Sequence, residues 1–219
     1  MMILLLVLFL FVCSFVLFVT SRHDFVLLRQ NISIRHVFDK ALVILLFSLF
    51  IARVIYLVDE RMYDFFLDPL RFLHVIIFFG FNIFGLITTL SLGVLFSFRK
   101  RKNFLRILDI YLLSFSPLII FEAIYYLLFS NINIWITSSY LSLSLIVFIL
   151  FVKMHSGFKI KDGVVAFSIL IFSAISYLGY SFLKKELLIY SPAQILAILV
   201  IAISIYCLVL VQTDFFKAK

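Results

Sequence analysis

VFDKALVILLFSLFIARVIYLV, residues 37–58, decides the fold. Past Lys40 it carries a single charge, Arg53, in a run as long as the roughly 20 residues that a helix needs to cross a hydrocarbon core about 30 Å thick. Runs of this kind recur at 2–20, 70–97, 105–130, 133–152, 163–182 and 191–212. The spacing therefore predicts an all-α polytopic membrane protein with seven transmembrane helices. Composition agrees: 65% hydrophobic residues, a mean hydropathy of +1.25 and 29 Phe in 219 residues do not suit a soluble domain of this length. The runs lack the alternation of a membrane β-strand, which argues against a barrel.

The basic residues fall in alternate connections. Arg22, Arg29, Arg35 and Lys40 lie between the first two runs, and Arg99, Lys100, Arg101, Lys102 and Arg106 between the third and fourth. Lys153, Lys159 and Lys161 lie between the fifth and sixth, with Lys217 and Lys219 at the end. The opposite connections hold Asp59, Glu60, Asp64 and Asp68, then the uncharged 131–139, then Lys184, Lys185 and Glu186. A positive-inside bias of this kind places the N-terminus outside and the C-terminus in the cytoplasm, in a plasma (inner) membrane. The net charge of +8 is accounted for by these helix-end residues, which fix topology and meet anionic head groups, so nucleic acid is not an expected partner.

Cys13 and Cys207 sit in apolar runs, so neither a disulfide framework nor a metal site is suggested, and no cofactor is implied. The first run lacks a basic leader and a small-residue cleavage site and is expected to remain as a helix. With no linker or repeat, residues 1–219 form one transmembrane domain. The connection 59–69 has Met62, Phe65 and Phe66 at helical spacing, which fits either a helix lying in the interface or a loop dipping into lipid.

Charges inside a span mark function or a structural ion pair, because each costs about 2.5–3.5 kcal/mol at the helix centre. The two candidates are Arg53 and Glu122, and counting along their helices allows them to pair in the outer half of the bilayer. Arg53 can alternatively snorkel outward to Asp59. Asn82 and Gly85, placed within the third run, suggest a close helix contact with an interhelical hydrogen bond.

Ala52-Arg53-Val54-Ile55-Tyr56 resembles the Ala-Arg-x-Gly-Tyr element of the bacterial prolipoprotein diacylglyceryl transferases, with Ile55 in place of glycine. Asp68-Pro69-Leu70 follows in the family's register. After it come Gly85-Leu86-Ile87, the basic turn Arg99–Lys102 and a segment reaching Asp109 without a gap. Asp162-Gly163 and Gln194-Ile195-Leu196 are similar to the family's elements opening its sixth and seventh helices. The resemblance implies a seven-helix enzyme that moves a diacylglyceryl group from phosphatidylglycerol to a lipoprotein cysteine. Such chemistry needs a base for the thiol and a clamp for the departing phosphate.

The chain departs from the family where that chemistry resides. Ile83 falls at the family's His, and Ala123-Ile124-Tyr125-Tyr126-Leu127 falls at its Arg-x-Gly-Asn-Phe motif. Its acidic residue falls near Asn131, and an expected Arg and Glu four residues apart read Ser173 and Tyr177. A Pro-Ser-Gln-Leu-Tyr-Glu element is reduced to Ser138-Ser139-Tyr140-Leu141, and His74, at the start of the third run, is the nearest remaining base.

The expectation is a catalytically degenerate relative, a phospholipid- or lipoprotein-binding scaffold. Arg53, Tyr56 and Glu122 would face a phosphatidylglycerol-like head group, and Asp68, Pro69, Gly85 and Asp109 would keep the framework. Its expected protein partners are lipoprotein precursors or an active transferase. A diverged active transferase and an unrelated carrier-like bundle remain the alternatives.

Overall fold

The computed structural model describes residues 2–22, 24–29, 32–59, 82–101, 103–129, 133–156, 160–183 and 191–213. Every regular element among them is a helix: α1 (Met2–Arg22), α2 (Phe25–Arg29), α3 (Ile34–Asp59), α4 (Ile83–Phe98), α5 (Phe104–Phe115), α6 (Pro117–Phe129), α7 (Ile134–Ser156), α8 (Val164–Leu183) and α9 (Pro192–Gln212). Five helical rods are long and apolar enough to cross a membrane: α3, α5 continued through α6, α7, α8 and α9. The apolar part of α1 and the whole of α4 are shorter. The connection 59–69, with Asp68 and Pro69, and His74 lie outside the described residues beyond Asp59.

The rod made by α5 and α6 is the centre of the bundle. Every residue from Arg106 to Ala123 is buried, so this rod is surrounded on all sides by protein. Its bend falls at Pro117, which has no N–H to give the carbonyl of Leu113 four residues back. Ser116 replaces that donor twice, through its backbone N–H (3.3 Å) and its hydroxyl (2.7 Å) to the same oxygen. The peripheral helices α1, α3, α7 and α9 turn Phe11, Phe15, Leu42, Phe47, Ile149, Ile203 and other large apolar side chains outward. Such a surface suits lipid rather than water.

Helices in lipid are held by close packing and polar contacts more than by apolar burial. α3 and α4 meet through glycines: a Cβ on Gly85 would lie 2.9 Å from Ile55 Cδ1, and one on Gly93 would lie 2.7 Å from Ile44 Cγ2. The close contact expected at Gly85 is present. Asn82 differs from its expected place inside a helix, because α4 starts only at Ile83. Asn82 is extended and caps the helix, its side-chain oxygen accepting from Gly85 N–H (2.9 Å). The interhelical bond runs instead through its backbone N–H to the carbonyl of Ala52 on α3 (3.4 Å).

Two distinct ends result. At the basic end, His36 at the start of α3 meets Phe98 at the end of α4, and Tyr111 of α5 donates to the Val37 carbonyl (2.8 Å). At that level Thr20 of α1 meets Ser114 (3.2 Å), and Lys161 donates to the Gln212 carbonyl of α9 (2.6 Å). The other end gathers Asp59, Glu122 and tyrosines from four helices.

Candidate functional site along the central helix

Polar side chains on the central rod contact a different neighbouring helix at each level. At the tyrosine end stands Glu122, buried on α6. Tyr126, one turn on, donates to its Oε1 (3.0 Å), and Tyr140 of α7 donates to its Oε2 (3.1 Å). Tyr126 stacks flat on Tyr180 of α8, with centroids 4.0 Å apart and planes at 8°. The carboxyl group thus joins α6 to α7, with both oxygens supplied with donors as a buried carboxyl requires, and the stacked Tyr126 extends the contact to α8.

Arg53 does not join it. The Arg53–Glu122 pair that helix counting allows is not formed: no hydrogen bond or ion pair joins the two, and the donors on Glu122 are phenols. The physical reason is proximity, since Tyr126 lies at i+4 on the same helix and Tyr140 faces it from α7. Arg53 is buried in α3 with its guanidinium 5.7 Å from the ring centre of Tyr56, a cation–π distance. Arg53 and Tyr56 are therefore together and Glu122 is apart. Asp59, the alternative partner for Arg53, accepts a hydrogen bond of 2.6 Å from Tyr177, whose ring stacks on Phe84 at 5.3 Å.

Asp109 has a defined structural task. Its Oδ2 accepts from Gly163 N–H and its Oδ1 from Ala166 N–H, both at 2.7 Å. The carboxylate of one helix thereby supplies the N-terminal cap of another, where exposed N–H groups and the helix dipole favour an anion. Gly163 turns into α8 with φ +94°, a left-handed conformation that side chains disfavour. Asp109 and Gly163, far apart in sequence, form one joint.

A second cluster was not expected from the sequence. Asp24 caps α2 and also accepts from Arg106 Nε (2.8 Å) through Oδ2. Arg106 reaches the His155 carbonyl with Nη2 (3.5 Å), and His155 Nε2 lies 3.9 Å from the same Asp24 oxygen. All three side chains are buried. Asp162, in the connection before α8, is shifted up from the ordinary carboxylate range by burial; Arg106 opposes that shift and Asp24 adds to it. Arg106 had read as one more topology-setting charge, and nothing in its spacing points to an aspartate 82 residues away.

The positions that depart from the resembled motif are filled by residues that complete packing. Ile83 and Ala123 are buried, and Ser173 donates to its own helix at the Leu170 carbonyl (3.0 Å). Asn131 lies outside the described residues. No group of three His, Cys, Asp or Glu able to hold a metal ion exists among the described residues. Cys13 is buried in the core and Cys207 is half-buried, both as free thiols.

No family model, characterised protein or solved structure matches the chain. The site is therefore read from its own chemistry. It offers carboxyl–phenol and carboxylate–guanidinium contacts, which organise helices, and one buried guanidinium beside a tyrosine near the end of α3.

Proposed function

We propose that the chain is a seven-span inner-membrane scaffold, N-terminus outside and C-terminus cytoplasmic, that holds an anionic phospholipid head group without transferring its acyl glycerol. The observation that carries this reading is Arg53, a cation buried in an apolar span and set against Tyr56 near the tyrosine end of α3. An arginine fork is suited to a phosphate, and an adjacent aromatic face suits the interfacial level of a bilayer. Seven spans are supported by the basic-end contacts of α1, α3, α4, α5, α7, α8 and α9, which give each rod one end at the same level. The outward N-terminus rests on the distribution of Lys and Arg.

Transfer is disfavoured by side-chain chemistry. A thiol needs a base, and the aligned position is the apolar Ile83. The resemblance in spacing to the prolipoprotein diacylglyceryl transferases supports a phosphatidylglycerol-like ligand, with lipoprotein precursors or an active transferase as the protein partner class.

The test is expression in bacteria depleted of their own diacylglyceryl transferase, with a lipoprotein precursor followed by mass spectrometry and lipids co-purified with the chain counted. The expected outcome is an unmodified precursor and retained phosphatidylglycerol that falls about fivefold in Arg53→Gln, the effect of about 1 kcal/mol per surface-near cation. A diacylglyceryl increment on the precursor refutes the non-catalytic part, and equal lipid retention in Arg53→Gln refutes the head-group role.

A further inference from the structure

Helices α3 and α4 run antiparallel, with Ile55 on Gly85 and Ile44 on Gly93, where an added Cβ would lie 2.9 and 2.7 Å from the isoleucine side chain. The seam between them has two unlike flanks. On α3, Ala41 and Ser48 beside the Ile44 row are buried, while Lys40, Val43 and Phe47 on the other flank are exposed. On α4, Leu86 and Leu90 beside the glycine row are buried, while Leu92 and Phe96 on the other flank are exposed. In both helices the open flank comes before the contact row in the sense of the helical rotation. Because the two helices run antiparallel, both open flanks therefore face the same side. Together they make one apolar groove on the lipid-facing surface of the bundle.

Cations from both helices cap the basic end of this groove. Arg99 follows Phe96 by three residues and holds its guanidinium 5.9 Å from that ring centre. Lys40 precedes Val43 and Phe47 by three and seven residues, so it shares their face of α3. His36, one turn earlier, is exposed and meets Phe98 edge-on at 6.4 Å, which sets the start of α3 and the end of α4 at one level. Lys40 and Arg99 are both exposed, and each stands between one and two turns from the Ile44–Gly93 contact. The neighbouring exposed acid, Asp39, stands about 100° round α3 from Lys40, away from α4, so the cap is positive. Topology asks only for positive charge near the helix ends; it does not ask for cations of two helices at the mouth of one groove.

We propose that the α3–α4 seam is a seat for one anionic phospholipid of the leaflet at the basic end, its phosphate taken by Lys40 and Arg99 and an acyl chain laid along Val43, Phe47, Leu92 and Phe96. An ammonium and a guanidinium suit a phosphodiester, and they disfavour choline and ethanolamine lipids, whose own cation meets like charge. Seven residues separate Lys40 from Phe47 and Arg99 from Leu92, about 10 Å of helix. The groove thus stays within the hydrocarbon of one leaflet, about 15 Å deep. The seat lies toward the opposite end of α3 from Arg53 and does not rest on the head-group reading there.

The chain's single tryptophan makes the seat testable. Trp135→Phe with Leu92→Trp moves the fluorophore into the groove of the full-length protein. Trp135→Phe with Phe47→Trp places it across the seam and serves if the first variant does not fold. The protein is reconstituted in dioleoylphosphatidylcholine bilayers with increasing shares of chain-brominated phosphatidylglycerol. Quenching is compared with that by chain-brominated phosphatidylcholine, which gives the groove's preference for the anionic lipid. Two cations at about fivefold each predict a preference of about 25-fold. Lys40→Gln and Arg99→Gln should each lower it about fivefold, and Lys153→Gln, which removes an exposed cation at the same end on α7, should leave it unchanged. A preference below about twofold before these changes overturns the proposal, as does an equal fall with Lys153→Gln, which marks a diffuse surface charge in place of a seat.

Discussion

Asp109→Ala tests whether the joint between α5 and α8 is a main fastening of the bundle. The carboxylate makes two bonds of 2.7 Å to N–H groups at the start of α8. Hydrogen bonds to a charged group are worth about 1.5–3 kcal/mol each, and a buried donor left orphaned costs about 1–3 kcal/mol. Against this, the variant escapes the cost of keeping a carboxylate 1% exposed in the bundle. The balance gives a loss of about 3–5 kcal/mol, the range for removing one partner of a buried charged contact. Asp109→Asn keeps an oxygen for one N–H and turns an amide NH2 toward the other, so it should lose less, about 1.5–3 kcal/mol. Steric trapping in bicelles measures the global stability, and amide exchange at Gly163 and Ala166 measures the joint itself. If Asp109→Ala stays within about 0.5 kcal/mol of wild type, the range of an ordinary surface change, the capping argument is wrong.

The glycine contact, the ion pair and the tyrosine contact give three further tests. Gly93→Leu places a side chain where even a Cβ would sit 2.7 Å from Ile44, so it should cost about 1–3 kcal/mol by overpacking, and Ile44→Ala should recover part of that loss in the double variant. Asp24→Ala removes the carboxylate from the buried Arg106 guanidinium and should cost about 3–5 kcal/mol, whereas replacing both residues with apolar ones of similar size should cost much less; equal costs in a double-mutant cycle would argue against pairing. Tyr140→Phe removes the phenol on Glu122 Oε2 and should lower stability by about 1–3 kcal/mol, with Glu122→Gln partly suppressing the effect; exchange rates in α7 check it.

The helical bundle was legible because the bilayer imposes both length and composition on whatever crosses it, and the runs at 37–58, 163–182 and 191–212 satisfy both. Boundaries failed where a polar side chain does local work that hydropathy does not record. Asn82 sits in an apolar run, and only the geometry of its side-chain oxygen on Gly85 N–H makes it a cap. Pro117 marks a bend, while the repair by Ser116 depends on where its hydroxyl points. Among candidate site residues, Arg53 and Tyr56 were named together through the motif resemblance, and the structure sets the guanidinium 5.7 Å from the tyrosine ring centre. For Glu122 the sequence allowed a pair with Arg53 and did not point to its phenol partners, because a charge invites a countercharge on paper and the phenols of Tyr126 and Tyr140 carry none. The Asp24–Arg106–His155 cluster was missed for the reverse reason: charges beside helix ends already had a sufficient explanation in topology.

The positions that carry the proposed resemblance and those that depart from it fall to different physical tasks. Gly85 permits the approach of α3 to α4, and Asp109 with Gly163 fastens α8 to the central rod; these need one particular side chain, or none, at a fixed place. The departing positions need only fill space or satisfy themselves. Ile83 and Ala123 are packed in the interior, Ser173 bonds its own helix, and Tyr177 is held by Asp59. Tyr177 comes with its acceptor, and Glu122 with two phenol donors. Those partners support an interior settled around holding helices together.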